Sequence, residues 1–70
     1  MNDKLYRFVD VNERLPDKFG MYICHVKVIE DGLTFIPVCY CQFDTIKNEW
    51  SDPSVCGVKG VVIDWLESIN

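Results

Sequence analysis

Clustered basic charge is missing from this 70-residue chain, and with it the usual means of gripping a phosphate backbone. Its seven basic residues (Lys4, Arg7, Arg14, Lys18, Lys27, Lys47 and Lys59) are scattered among eleven acidic ones, for a formal charge of −4. Direct nucleic-acid binding is therefore not expected. No apolar run approaches the roughly 18 residues of a membrane span. The opening MNDKLYRFVD is too polar for a secretion signal. The expected setting is cytoplasmic, where thiols stay reduced. The four glycines form no phosphate-cradling loop, and no Asp-x-Asp-x-Asp-Gly segment offers calcium a site.

What is present is apolar and aromatic. Hydrophobic residues make up 49% of the chain, including two Trp, three Tyr and four Phe, a globular rather than disordered composition. The length suits a single domain over residues 1–70. A domain this short buries only about 60% of its unfolded surface. Either it stands alone with modest stability, or it pairs with another copy to hide leftover apolar area.

The strongest local signal is Asp31-Gly32 between two alternating apolar runs, about 21–30 and 33–43. Both residue types tolerate the positive φ of a tight hairpin turn. A two-residue loop pairs Glu30 with Leu33, Val28 with Phe35, Val26 with Pro37, Cys24 with Cys39 and Tyr22 with Cys41. Because side chains alternate along a strand, these share one face, and its apolar character assigns it to the core. The other face carries Met21, Ile23, His25 and Lys27 opposite Gln42, Tyr40, Val38 and Ile36. Pro37 donates no ladder hydrogen bond, which predicts an edge or a bulge there.

The remaining segments are shorter. Tyr6–Val9 reads as extended. Asn12–Leu15 predicts one helical turn, ended by Pro16. A short strand is expected near 49–51, a loop over 51–60, and a C-terminal strand over about 61–66 that is apolar on both faces, as a central strand would be. The expected fold is mostly β (small α+β at most), a single antiparallel sheet of three to four strands. Its expected core is Phe8, Leu15, Tyr22, Val26, Phe35, Phe43, Trp50 and Trp65.

Two ends of the chain carry a resemblance. Phe8-Val9-Asp10-Val11-Asn12-Glu13-Arg14-Leu15-Pro16 resembles the opening of the domain of unknown function numbered 551, and Val62-Ile63-Asp64-Trp65-Leu66 is similar to that family's closing strand. An isolated Trp, here Trp50, fits between them. The chain departs in having Phe8 for the family's Trp, Asp64 for its His before the closing Trp, and Glu67-Ser68-Ile69 in place of Leu-Pro. The resemblance implies a small accessory protein of phage or prophage type, working in a bacterial or infected host cell. It implies no catalytic residues.

Chemistry-bearing side chains are few. Cys24, Cys39 and Cys41 fall on one face, and Cys56 lies in a loop able to reach them. Four thiols suit tetrahedral zinc, but Cys39-x-Cys41 is too short for a zinc knuckle. Free cysteine also packs as a small hydrophobe, and Cys24 with Cys39 is the natural disulfide pair. Packing is the expected role, with a metal- or ligand-binding module on Cys24, Cys39, Cys41 and Cys56 as the alternative. His25 has no carboxylate fixed beside it by the sequence, and Cys24 points to the opposite face, so a Cys–His nucleophile is not expected. Asp10, Glu13 and Asp17, like Asp44, Glu49 and Asp52, read as solvated loop acids. No enzyme and no cofactor are expected. The expected role is protein–protein binding, to a partner or to itself, through Ile23, His25, Lys27, Ile36, Val38 and Tyr40, a face too apolar to be wholly solvated. A narrower form makes the chain an acidic inhibitor of a host defence protein.

Overall fold

Strand-forming residues claim most of the chain. The computed structural model describes residues 5–68, as β1 (Tyr6–Asp10), β2 (Gly20–Glu30), β3 (Leu33–Phe35), β4 (Val38–Asp44), β5 (Glu49–Ser51), β6 (Ser54–Val55), β7 (Val58–Lys59) and β8 (Val61–Ser68). Eight strands replace the three or four expected. The main antiparallel sheet runs β1-β8-β2-β4-β5, with β3 also on β2, and β6 and β7 form a separate hairpin.

The predicted turn organises the centre. Asp31 and Gly32 both take positive φ, 52° and 75°, and the strands leave it in the expected register. Glu30 lies opposite Leu33 and Val28 opposite Phe35, then Cys24 opposite Cys39 and Tyr22 opposite Cys41. The return arm is not one strand over 33–43, however. It breaks at Ile36-Pro37, because a proline has no N–H to offer the ladder. Only the Pro37 carbonyl stays engaged, accepting from Val26 N–H at 3.0 Å.

Helix is absent among the described residues, so the helical turn expected at Asn12–Leu15 is corrected to a reverse turn. The Glu13 and Arg14 N–H groups both donate to the Asp10 carbonyl, at 2.8 and 3.3 Å. The Asp10 side chain also accepts from Asn12 N–H at 2.7 Å. Pro16 disfavours helical geometry at Leu15, so the turn cannot propagate.

β8 is central, between β1 and β2, and longer than the 61–66 expected. Val9 pairs with Trp65, and Trp65 in turn with Cys24. The ladder between β2 and β8 shifts between His25 and Val26, leaving Ile63 as the extra residue of a bulge. The shift lets Val62 and Trp65, three positions apart, both face inward. The stretch after Ser51, expected to be a loop, folds its middle into the β6–β7 hairpin. Cys56 and Gly57 form that turn with φ of 50° and 81°, and Gly60 N–H closes its base on the Pro53 carbonyl at 2.7 Å.

The buried core is Val9, Cys24, Val26, Val28, Cys41, Phe43, Val62 and Trp65. Val11, Tyr22, Cys39, Trp50, Val55 and Val58 pack around it half-buried. Of the expected core, Val26, Phe43 and Trp65 are buried, while Leu15, Tyr22 and Trp50 are half-buried. Two expectations are corrected. Phe8 is 41% exposed because its neighbour Val9 takes the inward position, and alternation turns Phe8 to the other side. Phe35 is 51% exposed because β3 is a short strand with only β2 as a neighbour.

An ion network rims the covered side. Glu67 pairs with both Arg14 and Arg7, and Arg7 also pairs with Glu13. The hydrogen bond from Arg14 holds the Glu67 carboxyl below its ordinary range, with the charges of Arg14 and Arg7 assisting. A depressed folded-state pKa contributes stability above the unfolded carboxylate range and loses it as pH falls through the folded value. Glu67→Gln is expected to unfold more readily than wild type at neutral pH, with the gap closing on acidification. Thermal melts over a pH series check this; a gap independent of pH would refute it.

Candidate functional site

Among the described residues, the main sheet is covered on one face only. Over the core side lie the β6–β7 hairpin, the 11–19 segment and the ring of Trp50. Tyr22 OH donates to the Lys18 carbonyl at 2.8 Å, and Trp65 Nε1–H to the Arg14 carbonyl at 3.0 Å. Both bonds tie the 11–19 segment down.

The opposite, outer face follows from strand alternation. β1 presents Tyr6 and Phe8, β8 presents Leu66 and Val61, β2 presents Met21, Ile23 and His25, and β4 presents Val38 and Tyr40. Registers place them side by side, with Phe8 opposite Leu66, Ile23 opposite Tyr40 and His25 opposite Val38. Tyr40 is 69% exposed, and Tyr6, Met21, Val38 and Val61 are each more than half exposed. Tyr6, Met21, Ile23, Tyr40 and Leu66 line a shallow depression of about 150 Å³.

Among the six residues expected to form that surface, Ile23, Val38 and Tyr40 lie together on this face and are exposed. Lys27 is exposed at its margin. Ile36 is exposed within the β3–β4 break rather than on a strand. His25 is half-buried and engaged: its Nδ1 lies 2.7 Å from Asp64 Oδ1, which also accepts the His25 backbone N–H at 3.1 Å. The carboxylate that the sequence did not place beside His25 is thus supplied by β8. The Phe8 ring covers His25 at 4.3 Å between centroids. Tyr6, Phe8, Leu66 and Asp64 escaped the sequence reading because they join the face only through the β1–β8 and β8–β2 pairings, which no local signal specifies.

Three of the four cysteines turn toward the core. Cys24 and Cys41 are buried and Cys39 half-buried, whereas Cys56 is exposed on the β6–β7 turn. Desolvation by burial pushes the Cys24 and Cys41 thiols up from their ordinary range. Among the described residues no group of three or more His, Cys, Asp or Glu is arranged to hold a metal ion. Cys56 instead borders a mainly apolar cleft of about 210 Å³ with Val28, Glu30, Phe35, Pro37, Val55 and Val58.

The remaining candidates are structural. Asp44 Oδ1 accepts from Ile46 and Lys47 N–H at 2.9 and 3.1 Å, shaping the β4–β5 turn. Asp10 caps its own turn and Glu13 pairs with Arg7. Trp50 stacks edge-on against Phe43 at 4.9 Å and Tyr22 at 6.1 Å, its buried Nε1 having no hydrogen-bond partner among the described residues. Among the described residues no helix is long and apolar enough to cross a membrane. Comparisons with protein-family models, curated proteins and solved structures found no match to this chain.

Proposed function

We propose that this chain is a non-enzymatic binding protein that docks a protein through the outer face of its sheet. The observation that carries this reading is the set of exposed Tyr6, Phe8, Met21, Ile23, Val38 and Tyr40 on β1, β2 and β4 of the main sheet. A sheet facing water alternates apolar inward and polar outward; here both faces are apolar. The one histidine–carboxylate pair has no cysteine on its face, since Cys24 is turned into the core, which favours binding over nucleophilic chemistry.

The resemblance of residues 8–16 and 62–66 to small phage and prophage domains narrows the reading to an accessory protein acting in a bacterial or infected host cell. Its charge of −4 suits an inhibitor that occupies the basic surface of a host defence protein.

The test uses the tagged full chain as bait, in lysate from bacteria that also express the untagged chain. Wild type is expected to retain protein, and the Ile23→Asp, Tyr40→Glu double variant to lose it, with circular dichroism reporting that the variant stays folded. Equal retention by both baits would refute the outer face as the docking surface.

A further inference from the structure

We infer that the partner binds as an added strand, an extended basic segment pairing with the open edge of β4 over residues 38–41. The inference deepens the reading of this chain as a protein binder and rests on it. In the order β1-β8-β2-β4-β5, the last strand lies beside only part of β4: Gln42, Phe43 and Asp44 pair with Ser51, Trp50 and Glu49. Past Ser51 the chain leaves that line at Asp52, whose φ is 31°, and Pro53. Among the described residues no strand lies beside residues 38–41 on the side away from β2.

The hydrogen-bond ladder shows what that edge offers. Val26 N–H donates to the Pro37 carbonyl at 3.0 Å, and bonded and non-bonded pairs alternate along an antiparallel ladder. Cys39 and Cys41 therefore turn their main-chain groups toward β2, while Val38 and Tyr40 turn theirs away. Gln42 also points away, and there β5 receives it. The N–H and C=O of Val38 and Tyr40 thus form two ladder rungs with no strand opposite. Charged side chains commonly guard an edge against strand addition. β1 carries Arg7 and Asp10, and β5 carries Glu49, whereas residues 38–41 include neither charge nor proline.

The surroundings of the edge select the occupant's charge. A depression of about 220 Å³ lies there, bordered by residues 39–42 of β4 and by residues 51–54. Asp52 is the one charged residue lining it, and Asp52 forms no ion pair among the described residues. In strand addition the main-chain bonds supply affinity, and the pockets met by alternate side chains supply selection. A Lys or Arg on the added strand would meet the Asp52 carboxylate, and the chain's charge of −4 draws a basic segment toward it.

Amide hydrogen exchange of the full chain tests this, with a peptide of about six residues, Thr and Val alternating around one Lys, as the probe. The peptide is expected to slow exchange at Val38 and Tyr40 and to leave Cys39 and Cys41, already bonded to β2, unchanged. N-methylating the peptide where it faces β4 is expected to weaken binding roughly tenfold or more. Gln in place of its Lys should weaken binding about threefold, a difference that Asp52→Asn is expected to erase. Tyr40→Pro removes an edge N–H without touching the β2 ladder and should abolish binding, whereas Tyr40→Ser should retain it. The two altered peptides keep the test valid should Tyr40→Pro fail to fold. Unchanged exchange at Val38 and Tyr40, or equal binding of the N-methylated peptide, would overturn the inference. So would protection that rises with protein concentration in the absence of peptide, which makes a second copy the occupant. If the peptide fails while the Ile23→Asp, Tyr40→Glu bait still loses protein that wild type retains, strand addition falls and the docking face stands. If the peptide binds and both baits retain protein equally, the face falls and the edge stands.

Discussion

Trp65→Ala is expected to lower stability by about 3–5 kcal/mol, the range for removing a buried Trp or Phe. A 70-residue domain has about 3.5–10 kcal/mol in total, so the variant should be largely unfolded at physiological temperature. Trp65 is almost wholly buried and has three partners that shrink or vanish on truncation. Its indole N–H donates to the Arg14 carbonyl at 3.0 Å. The Arg14 guanidinium sits 5.3 Å above its ring. Tyr22 meets it edge-on at 5.4 Å between centroids. The substitution therefore opens the core and releases the 11–19 segment that roofs it. Urea unfolding followed by Trp50 fluorescence measures the loss. Trp65→Phe separates the two contributions, since it keeps most of the ring and forfeits one hydrogen bond worth about 1 kcal/mol. A wild-type midpoint for Trp65→Ala would mean that the core is not organised around this side chain.

Gly60→Ala is expected to destabilise by about 1–3 kcal/mol, an unusual cost for adding one methyl group. The reason is steric rather than conformational, because Gly60 is not among the residues of positive φ. A β-carbon there would come within 2.4 Å of Val26 Cγ1 and 3.0 Å of both the Lys27 carbonyl oxygen and Val28 Cγ2. Val26 is itself buried and cannot swing away, and the carbonyl belongs to β2. Gly57 supplies the control. It has open space around its α-carbon but a φ of 81°, so Gly57→Ala should show backbone strain without displacing Val26. Thermal melts of the two variants, with the Val26 methyl resonances as a local reporter, distinguish crowding from strain. An unchanged melting temperature for Gly60→Ala would show that the β6–β7 hairpin does not rest on β2 this closely.

Local chemistry made part of this architecture legible. Asp31-Gly32 encodes its own turn, and once the turn is set, residue counting places Cys24, Tyr22 and their partners without further information. The inward direction of Val26 and Phe43 follows from the same count. Legibility ends where a contact depends on residues far apart in the chain. Nothing in Tyr6–Asp10 says that its partner is β8, so the outward turn of Phe8 and the approach of Asp64 to His25 were hidden. The bulge at Ile63 was concealed for a related reason: Val62 and Trp65, three positions apart, break the period of two that an unbulged strand shows, and the shift is set by the pairing with β2. Cys56-Gly57 is a tight turn like Asp31-Gly32, but Cys is not a residue that advertises positive φ, so the second hairpin went unread. For the candidate face, Ile23, Val38 and Tyr40 were visible from the hairpin alone, whereas the half contributed by β1 and β8 was not.

The position of β8 between β1 and β2 also sets an order of events during synthesis. A chain emerging from the ribosome can close the Asp31-Gly32 hairpin early, since those contacts are local. It cannot seat residues 6–10 beside anything until residues 61–68 have been made, because their partner is the central strand itself. Until then the edge of β2 that will receive β8 stays open to any other strand. Pairing with residues 61–68 is what closes that edge.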